Sequence, residues 1–243
     1  MNRLYVNTII MNGTDCTSQN DFMKELAKLQ LPIEGIEVRR EYFSSDKKER
    51  EQQFLDILET GKLNNWKLRY SVPEPLFTKN GINNQFSEWL AEGKAIEVES
   101  IKLNIGNLSG ITQIKNSEFK QFLADESFKI TIENDQTYDN GSLNNVLKSL
   151  SLIEKQNLQI GYTFDLGNWM VIEENPQKSF IETKKYISIF HLKNMNTQNQ
   201  SVLLDKGQLS WRDYLIEDWP IVLEYPMDFN ELKSEIKKVK EVD

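Results

Sequence analysis

The sequence has few of the residues on which several large protein classes depend. Its 243 residues include one cysteine and one histidine. A single cysteine excludes an intrachain disulfide, which agrees with a reducing compartment such as the cytoplasm. A cysteine nucleophile would need a basic partner, but the only histidine, His191, ends a different segment from the one that contains Cys16. We therefore expect neither a disulfide-stabilised scaffold nor a cysteine-dependent enzyme.

The sequence also lacks long apolar segments and clusters of basic residues. No apolar run approaches the ~18 residues of a membrane-spanning helix, and the N-terminus lacks the charged-then-apolar pattern of a signal sequence. The net charge is −8, whereas extended nucleic-acid surfaces need clustered Lys and Arg. We therefore expect a cytoplasmic protein that binds neither membranes nor nucleic acid, and homo-oligomerisation stays open.

What the sequence does contain is a regular alternation of strand and helix patterns. The predicted strands cover residues 3–10, 34–39, 66–72, 97–105, 128–133, 158–164, 187–192 and 219–224. The predicted helices cover residues 17–29, 44–58, 83–91, 117–124, 142–154, 176–186, 211–215 and 229–239. Strict alternation indicates a parallel sheet. Eight units predict one (β/α)8 barrel, a TIM barrel, that takes up residues 1–243 as a single domain.

The main alternative fold is an open, doubly wound parallel sheet. Dinucleotide-binding sheets of that kind carry a glycine-rich phosphate turn with a fixed spacing. The nearest segment is GNLSG at residues 106–110, and it lacks the required spacing. The missing turn and the eight repeated units favour the closed barrel.

Four of the predicted strands end on a good metal ligand. These residues are Glu133, Asp165, His191 and Glu224. In a TIM barrel the C-terminal strand ends meet at one face, where active sites lie. Any one of the carboxylates alone would more often be a solvated residue at a strand end. The histidine alone would more often be a hydrogen-bonded residue of the core. The four residues together predict a metal site. Three carboxylate oxygens and one imidazole nitrogen are a ligand set that suits Mn²⁺, Mg²⁺ or Co²⁺, and Zn²⁺ is also compatible.

Basic residues near the same strand ends are candidates for substrate binding. Arg39, Arg69 and Lys102 could hold a phosphate or a carboxylate, and ion pairs with nearby glutamates are the alternative. Lys193 lies two residues after His191 and therefore points the same way along a strand. It could stabilise an enediolate or hold a hydroxyl, and a solvated loop lysine is the alternative.

Four short segments carry a resemblance to a known family. They are IENDQ at residues 132–136, TFDLGN at 163–168, FHLKN at 190–194 and VLEYP at 222–226. Together and in this order they resemble the xylose-isomerase-like barrel superfamily, and within it the sugar phosphate isomerase/epimerase group. The resemblance covers nearly the whole chain.

The resemblance implies a metal-dependent enzyme, with Mn²⁺ as the preferred ion. In epimerases of the group, the glutamates of the fifth and eighth strands, here Glu133 and Glu224, bind the metal and exchange the substrate proton. Asp165 and His191 would complete the metal shell. A second histidine often follows the aspartate by three residues, where this chain has Asn168. Asparagine can donate to a substrate hydroxyl but cannot titrate near neutral pH.

We therefore predict an isomerase or epimerase of a sugar, a sugar phosphate or a keto sugar acid, which acts through an enediolate. An abasic-site endonuclease, the other enzyme class of this barrel, would need several zinc ions, several histidines and a basic groove. One histidine and a net charge of −8 argue against it. A non-catalytic relative that binds a sugar or a partner protein is the alternative, because Asn168 stands where the second histidine is expected.

Overall fold

Eight parallel strands form a closed barrel in the computed structural model, which describes residues 3–114, 116–123, 128–216 and 219–242. The strands are β1 (Leu4–Asn7), β2 (Gly35–Arg39), β3 (Lys67–Thr78), β4 (Ser100–Gly106), β5 (Lys129–Glu133), β6 (Ile160–Asp165), β7 (Ile187–Leu192) and β8 (Ile221–Leu223). Each strand pairs in parallel with the next one along the chain, and β8 pairs with β1. The predicted TIM barrel is confirmed.

Helices follow the strands and bury their apolar faces against them. They are α1 (Gln19–Lys28), α2 (Lys47–Leu63), α3 (Phe86–Ala95), α4 (Leu108–Gln113), α5 (Asn116–Leu123), α6 (Tyr138–Gly141), α7 (Leu143–Lys155), α8 (Asn168–Val171), α9 (Pro176–Thr183) and α10 (Phe229–Lys240). Side-chain caps set several starts: Ser18 accepts from the N–H of Asp21, and Asp228 forms a capping box with Glu231. Among the described residues, no helix is long and apolar enough to cross a lipid bilayer.

Strand β1 is shorter than predicted. The predicted strand continued to Ile10, but the observed strand stops at Asn7 and a 3-10 helix, Thr8–Gly13, follows. The side chain of Asn7 accepts a hydrogen bond from the backbone N–H of Ile9 at 2.8 Å. This local bond competes with strand pairing and turns the chain.

Strand β3 is longer than predicted. The prediction ended it before Pro73, but the strand passes through both Pro73 and Pro75. The register with β4 shifts between Ser71 and Pro75, so the missing N–H groups fall at an irregularity of the ladder. Beyond that point, β3 pairs with the short antiparallel strand Gly81–Ile82.

Three predicted helix and loop boundaries also differ. Helix α2 continues past Gly61 to Leu63, although the predicted helix ended at residue 58. The glycine permits close packing there, since an added Cβ would lie only 3.2 Å from Leu68. The segments predicted as loops, 107–116 and 134–141, contain α4 and α6. The predicted helix end at Ala124 lies outside the described residues.

Inside the barrel, an apolar layer lies below a polar one. Tyr5, Ile189 and Val222 form a separate buried apolar cluster. Two residues further along β1 and β7 are the buried polar side chains of Asn7 and His191. Side chains on a strand alternate in direction, so residues two positions apart point the same way. Asn7 and His191 therefore also face inward, at the C-terminal mouth.

Candidate metal centre

The four candidate ligands lie together at the C-terminal ends of β5 to β8. Glu133 and Asp165 are the last residues of their strands, His191 is the second to last of its strand, and Glu224 directly follows β8. One ligand atom from each residue lies within 4.8 Å of the other three. All four are buried, with at most 5% of their surface exposed. The barrel therefore brings together the residues that the strand-end pattern selected.

His191 presents one ring nitrogen to the candidate ligands and the other to a supporting carboxylate. Its Nδ1 lies 2.9 Å from Glu133 Oε1 and 3.1 Å from Glu224 Oε2. Its Nε2 lies 3.2 Å from Glu37 Oε1, which also accepts a hydrogen bond from Asn7 at 2.7 Å. A carboxylate behind a ligating histidine is common at metal sites, because it fixes the tautomer and the ring orientation.

Three of these residues have pKa values set by their mutual charges. Burial lowers the pKa of His191, but the charges of Glu37, Glu224 and Glu133 raise it well above its usual value. Burial raises the pKa of Glu133, but Lys102 and His191 lower it to about 2. Burial raises the pKa of Glu224 as well, but the charge of His191 and other nearby cations hold it well below its usual value. Both glutamates are therefore ionised at neutral pH.

Asp165 differs from the two glutamates. Burial raises its pKa to about 7, although the ammonium of Lys193 lowers it, and the charges of Glu224 and Glu133 raise it further. Its Oδ1 accepts a hydrogen bond from the backbone N–H of Asn168 at 2.9 Å. Asp165 therefore loses its proton near neutrality, and a cation at the centre would favour that loss.

Each candidate carboxylate ligand is paired with its own side-chain cation. The pairs are Lys102 with Glu133 at 2.7 Å, Lys193 with Asp165 at 2.7 Å, and Arg39 with Glu224 at 2.9 Å. Three of the predicted substrate-binding residues therefore lie directly beside the centre. They reach it from β2, from β4 and from the residue that follows β7.

Lys193 is buried rather than solvated. Its surface is 6% exposed, and its stem lies against Gly167, where an added Cβ would approach Lys193 Cγ to 2.6 Å. Burial lowers its pKa, but the charges of Asp165 and Glu224 raise it above the usual value. It is a charged group held in place beside the centre.

The donor set fits a divalent cation. Glu133 Oε1 and Asp165 Oδ2 are buried, and neither accepts a hydrogen bond. Their ion-pair contacts, with His191 at 2.9 Å and with Lys193 at 2.7 Å, each engage one lone pair, so a second lone pair on each oxygen remains available. Buried acceptors without hydrogen bonds are uncommon. Carboxylate oxygens with one imidazole are a donor set that Mn²⁺ and similar ions accept.

Asn168 joins two loops of the mouth. Its Nδ2 donates to the backbone oxygen of Asn134 at 2.8 Å, and its Oδ1 accepts from Gln136 at 3.1 Å. Its backbone N–H also donates a hydrogen bond to Asp165 Oδ1. The residue lies next to the centre, where it orients the aspartate and ties the loop after β5 to the loop after β6.

Arg69 is the predicted substrate-binding residue that the structure does not bring to the centre. Its guanidinium lies 3.7 Å above the ring of Tyr5 and pairs at 2.6 Å with Glu99, the residue before β4. It therefore points towards the N-terminal end of the barrel. There it covers the apolar layer and lies away from the mouth.

Sequence reasoning missed the supporting roles of Glu37, Asn7 and Asn134. Asn134 donates to the backbone oxygen of Asp165 and accepts from its N–H, both at 2.9 Å. Glu37 lies two residues before Arg39 on the same inward face of β2. That spacing was a usable signal, because a glutamate facing into an apolar barrel needs a partner there.

A cavity of about 740 Å³ lies elsewhere, around the first residues of β5 and β6. Lys129 and Gly161 line it, but no residue of the candidate metal centre does. The C-terminal mouth is the candidate functional site, because barrel enzymes carry their chemistry at that end.

Comparisons with known proteins find a likeness in structure only. No family model and no curated protein matches the sequence. Similar solved structures include the probable 3-DHS dehydratase AsbF from Bacillus anthracis, with TM-score 0.71, 16% identity and 100% of both chains covered. A D-tagatose 3-epimerase-like protein has TM-score 0.73 and 13% identity over 99% of this chain and 96% of that one. A D-psicose 3-epimerase has TM-score 0.66 and 14% identity over 97% and 89%. At these identities the likeness shows a shared barrel fold.

Proposed function

We propose that this chain is a divalent-metal-dependent isomerase or epimerase of a sugar or a sugar derivative. The observation that carries the proposal is the placement of two ionised glutamates, Glu133 and Glu224, at 2.9 and 3.1 Å from the same nitrogen of His191. A substrate bound at this point lies between two carboxylates, which suits proton transfer at a carbon next to a carbonyl. The fold shared with sugar epimerases supports this choice.

Glu133, Asp165, His191 and Glu224 would hold the ion, and Mn²⁺ is the ion we propose. A bound divalent ion would supply a Lewis acid that stabilises negative charge on the oxygens of the substrate. Glu37 would keep the histidine ring in the orientation that presents Nδ1.

Each glutamate is anchored through one oxygen and presents the other. Lys102 holds Glu133 Oε2 at 2.7 Å, and Arg39 holds Glu224 Oε1 at 2.9 Å. Their lowered pKa values keep both carboxylates ionised at neutral pH, and only an ionised carboxylate can take a proton. One glutamate takes the proton next to the carbonyl. In an epimerisation the other returns a proton to the opposite face, and in an isomerisation the first returns it to the adjacent carbon.

Lys193 would stabilise the enediolate electrostatically. Its ammonium is charged, buried and fixed between Asp165 at 2.7 Å and Glu224 at 3.5 Å. A fixed charge in a site that excludes water stabilises developing negative charge more strongly than a solvated one does. Asn168 would contribute by its hydrogen bond to Asp165 and by joining the loops after β5 and β6.

Solvent deuterium exchange tests this function. The Mn²⁺-loaded protein is incubated in D₂O with a panel of ketoses and keto sugar acids, and incorporation is followed by mass spectrometry. We expect exchange by the wild type and a loss of about 10²- to 10⁴-fold in Glu133→Gln and in Glu224→Gln. Glu99→Gln is the control, because Glu99 pairs with Arg69 away from the mouth.

Exchange that persists undiminished in both glutamine variants would contradict the mechanism. A wild type that binds no divalent ion would reject the metal-dependent function. A wild type that binds Mn²⁺ and a sugar without exchange would favour a non-catalytic sugar-binding or partner-binding protein. The observation behind that alternative is Asn168, whose side chain is engaged by Asn134 and Gln136.

A further inference from the structure

A row of three polar side chains crosses neighbouring strands beside the metal centre. Arg39 of β2 is in register with Ser71 of β3, and Ser71 is in register with Lys102 of β4. Residues in register on paired strands point to the same face of the sheet. Arg39 and Lys102 point into the barrel, where they contact Glu224 and Glu133. Ser71 therefore points into the barrel between them.

Ser71 is a buried hydroxyl without a partner. Its surface is 0% exposed, and its Oγ makes no hydrogen bond. Most buried polar side chains in proteins are paired, and a hydroxyl can both donate and accept. An unpaired hydroxyl that faces the mouth of the barrel indicates a partner from outside the chain.

Lys102 has donors to spare. It is 3% exposed, and its ammonium donates to Glu133 Oε2 at 2.7 Å. An ammonium carries three N–H donors. The lysine is therefore a buried group with N–H donors that Glu133 does not use.

Arg39 is fixed at its backbone and at two of its three guanidinium nitrogens. The buried side chain of Gln19 accepts from the backbone N–H of Arg39 at 2.7 Å and donates to its backbone oxygen at 3.0 Å. The guanidinium donates through Nε to Glu41 at 2.6 Å and through Nη1 to Glu224 at 2.9 Å. Among the described residues, these partners leave Nη2 for a ligand.

Two cations of the centre lie on either side of Ser71. Arg39 contacts Glu224 and Lys102 contacts Glu133, and each keeps N–H donors that these carboxylates do not use. Two fixed cations with unused donors favour an anionic group between them. Glu41 also pairs with Arg39, but it is one-third exposed at the rim and is screened by solvent.

We propose that Arg39, Ser71 and Lys102 bind an anionic group of the substrate, a carboxylate or a phosphate. The inference rests on the proposed function and names its substrate class: acidic sugar derivatives rather than neutral ketoses. The guanidinium offers directed donors, the ammonium offers a charge, and the hydroxyl completes the contact. The first half of the barrel thus binds the anion, while the second half holds the metal and the reacting carbons.

Calorimetric titration of the Mn²⁺-loaded protein tests this proposal with D-fructose, 2-keto-D-gluconate and D-fructose 6-phosphate. We expect at least one acidic ligand to bind at least about tenfold more tightly than D-fructose. Ser71→Ala should weaken that ligand about tenfold, the effect of losing one hydrogen bond to a charged group. The variant should fold normally, because the hydroxyl that it removes is unpaired.

Ser179→Ala is the matched control, because it removes another buried, unpaired serine hydroxyl, on α9. It should change the affinity of no ligand. Tighter binding of 2-keto-D-gluconate would indicate a carboxylate site, and tighter binding of D-fructose 6-phosphate would indicate a phosphate site.

Binding without preference for either acid, or Ser71→Ala affinities equal to those of the wild type, would overturn the proposal. If the protein takes up Mn²⁺ and exchanges deuterium into D-fructose but shows no such preference, this inference fails and the isomerase function stands. If it takes up no Mn²⁺, the isomerase function fails first.

Discussion

Glu133 and Asp165 are both buried carboxylates of the same centre, yet their pKa values move in opposite directions. Lys102 and His191 outweigh the burial of Glu133 and lower its pKa to about 2. Asp165 has Lys193 beside it but also two carboxylate neighbours, and its pKa rises to about 7. The local balance of charges, rather than burial alone, therefore keeps Glu133 ionised at neutral pH, whereas Asp165 changes its protonation state near neutrality.

Replacement of Glu37 tests the support of the histidine. Glu37→Gln keeps a polar side chain behind His191 Nε2 but removes the charge that orients the ring. We expect Mn²⁺ affinity to fall about 10- to 100-fold, the usual effect of losing such a supporting group. Competition with a chromophoric chelator measures the affinity.

Glu92→Gln provides the control for that measurement. Glu92 is also a buried glutamate, but its hydrogen-bond partners are Arg40 and Tyr70, which lie on the outer side of the barrel wall at β2 and β3. Its loss should lower the stability of the fold and leave the affinity for Mn²⁺ unchanged. If Glu37→Gln and the wild type bind Mn²⁺ equally, the assigned role of Glu37 is wrong.

At the scale of secondary-structure elements, helix α10 ties the last part of the chain to the metal centre. Its buried Glu235 accepts hydrogen bonds from the N–H of Leu204 at 2.7 Å and from the hydroxyl of Tyr225 at 2.5 Å. Tyr225 directly follows the candidate ligand Glu224. One helix side chain therefore fixes both the long segment after β7 and the backbone beside the eighth-strand ligand.

A second set of hydrogen bonds in this segment, around Asp205, predicts that the stability of the fold depends on pH. Asp205 accepts from the indole of Trp211, from Arg212 and from Lys238, each at 3.0 Å. The hydrogen bond from Trp211, followed by those from Lys238 and Arg212, lowers the pKa of Asp205 to about 2. A lowered pKa stabilises the fold above the unfolded value of about 4, and this contribution disappears as the pH falls towards 2.

Asp205→Asn should therefore destabilise the protein at neutral pH, and the difference from the wild type should shrink below pH of about 4. The effect should be at most about 1 kcal/mol, because the Asp205 side chain is 41% exposed and solvent screens its charge. Urea unfolding at a series of pH values measures it. A difference that stays constant across the series would show that the aspartate charge does not contribute.

At the scale of the whole molecule, the two halves of the barrel have different tasks. Strands β5 to β8 carry or immediately precede the four candidate ligands. Strands β1, β2 and β4 provide most of the groups that support or neutralise them: Asn7, Glu37, Arg39 and Lys102. Closure of the sheet brings these groups face to face across the mouth.

Metal binding should stabilise the whole barrel. An ion that binds only the folded chain raises the free energy of unfolding by about 2.7 kcal/mol at a hundredfold excess over its Kd. For a chain of this size, that corresponds to a rise in Tm of roughly 5 to 10 °C. Differential scanning calorimetry with Mn²⁺ and with a chelator measures the shift.

Asp165→Asn should abolish most of this shift, because it removes a ligand charge from the centre of the four strands. Circular dichroism confirms that the variant is folded before the comparison is made. An equal shift in the variant and in the wild type would place the Mn²⁺ site elsewhere on the chain.

Local patterns were sufficient to predict the eight strands, their parallel order and the polar residues at their ends. Periodicity reveals which segments are buried, and a strand end is marked by the first polar residue after an apolar run. The same patterns failed at Asn7 and at Pro73 and Pro75. A side-chain hydrogen bond to the backbone ends β1 early, and a shift of register lets β3 continue. Neither event has a periodic signal.

The sequence by itself determined the fold class and the four residues that meet at the mouth, because the order of elements along the chain and the ends of the strands can be read from local patterns. Only the tertiary structure decided the partners of those residues. Glu37 supports a histidine 154 residues away, and Ser71 lies in register between two cations. Arg39 ends its strand and reaches the mouth, whereas Arg69 is in register with Glu37, two residues nearer the N-terminal end, and turns to Tyr5 and Glu99. Such choices depend on the closure and register of the barrel, which act between segments far apart in the chain.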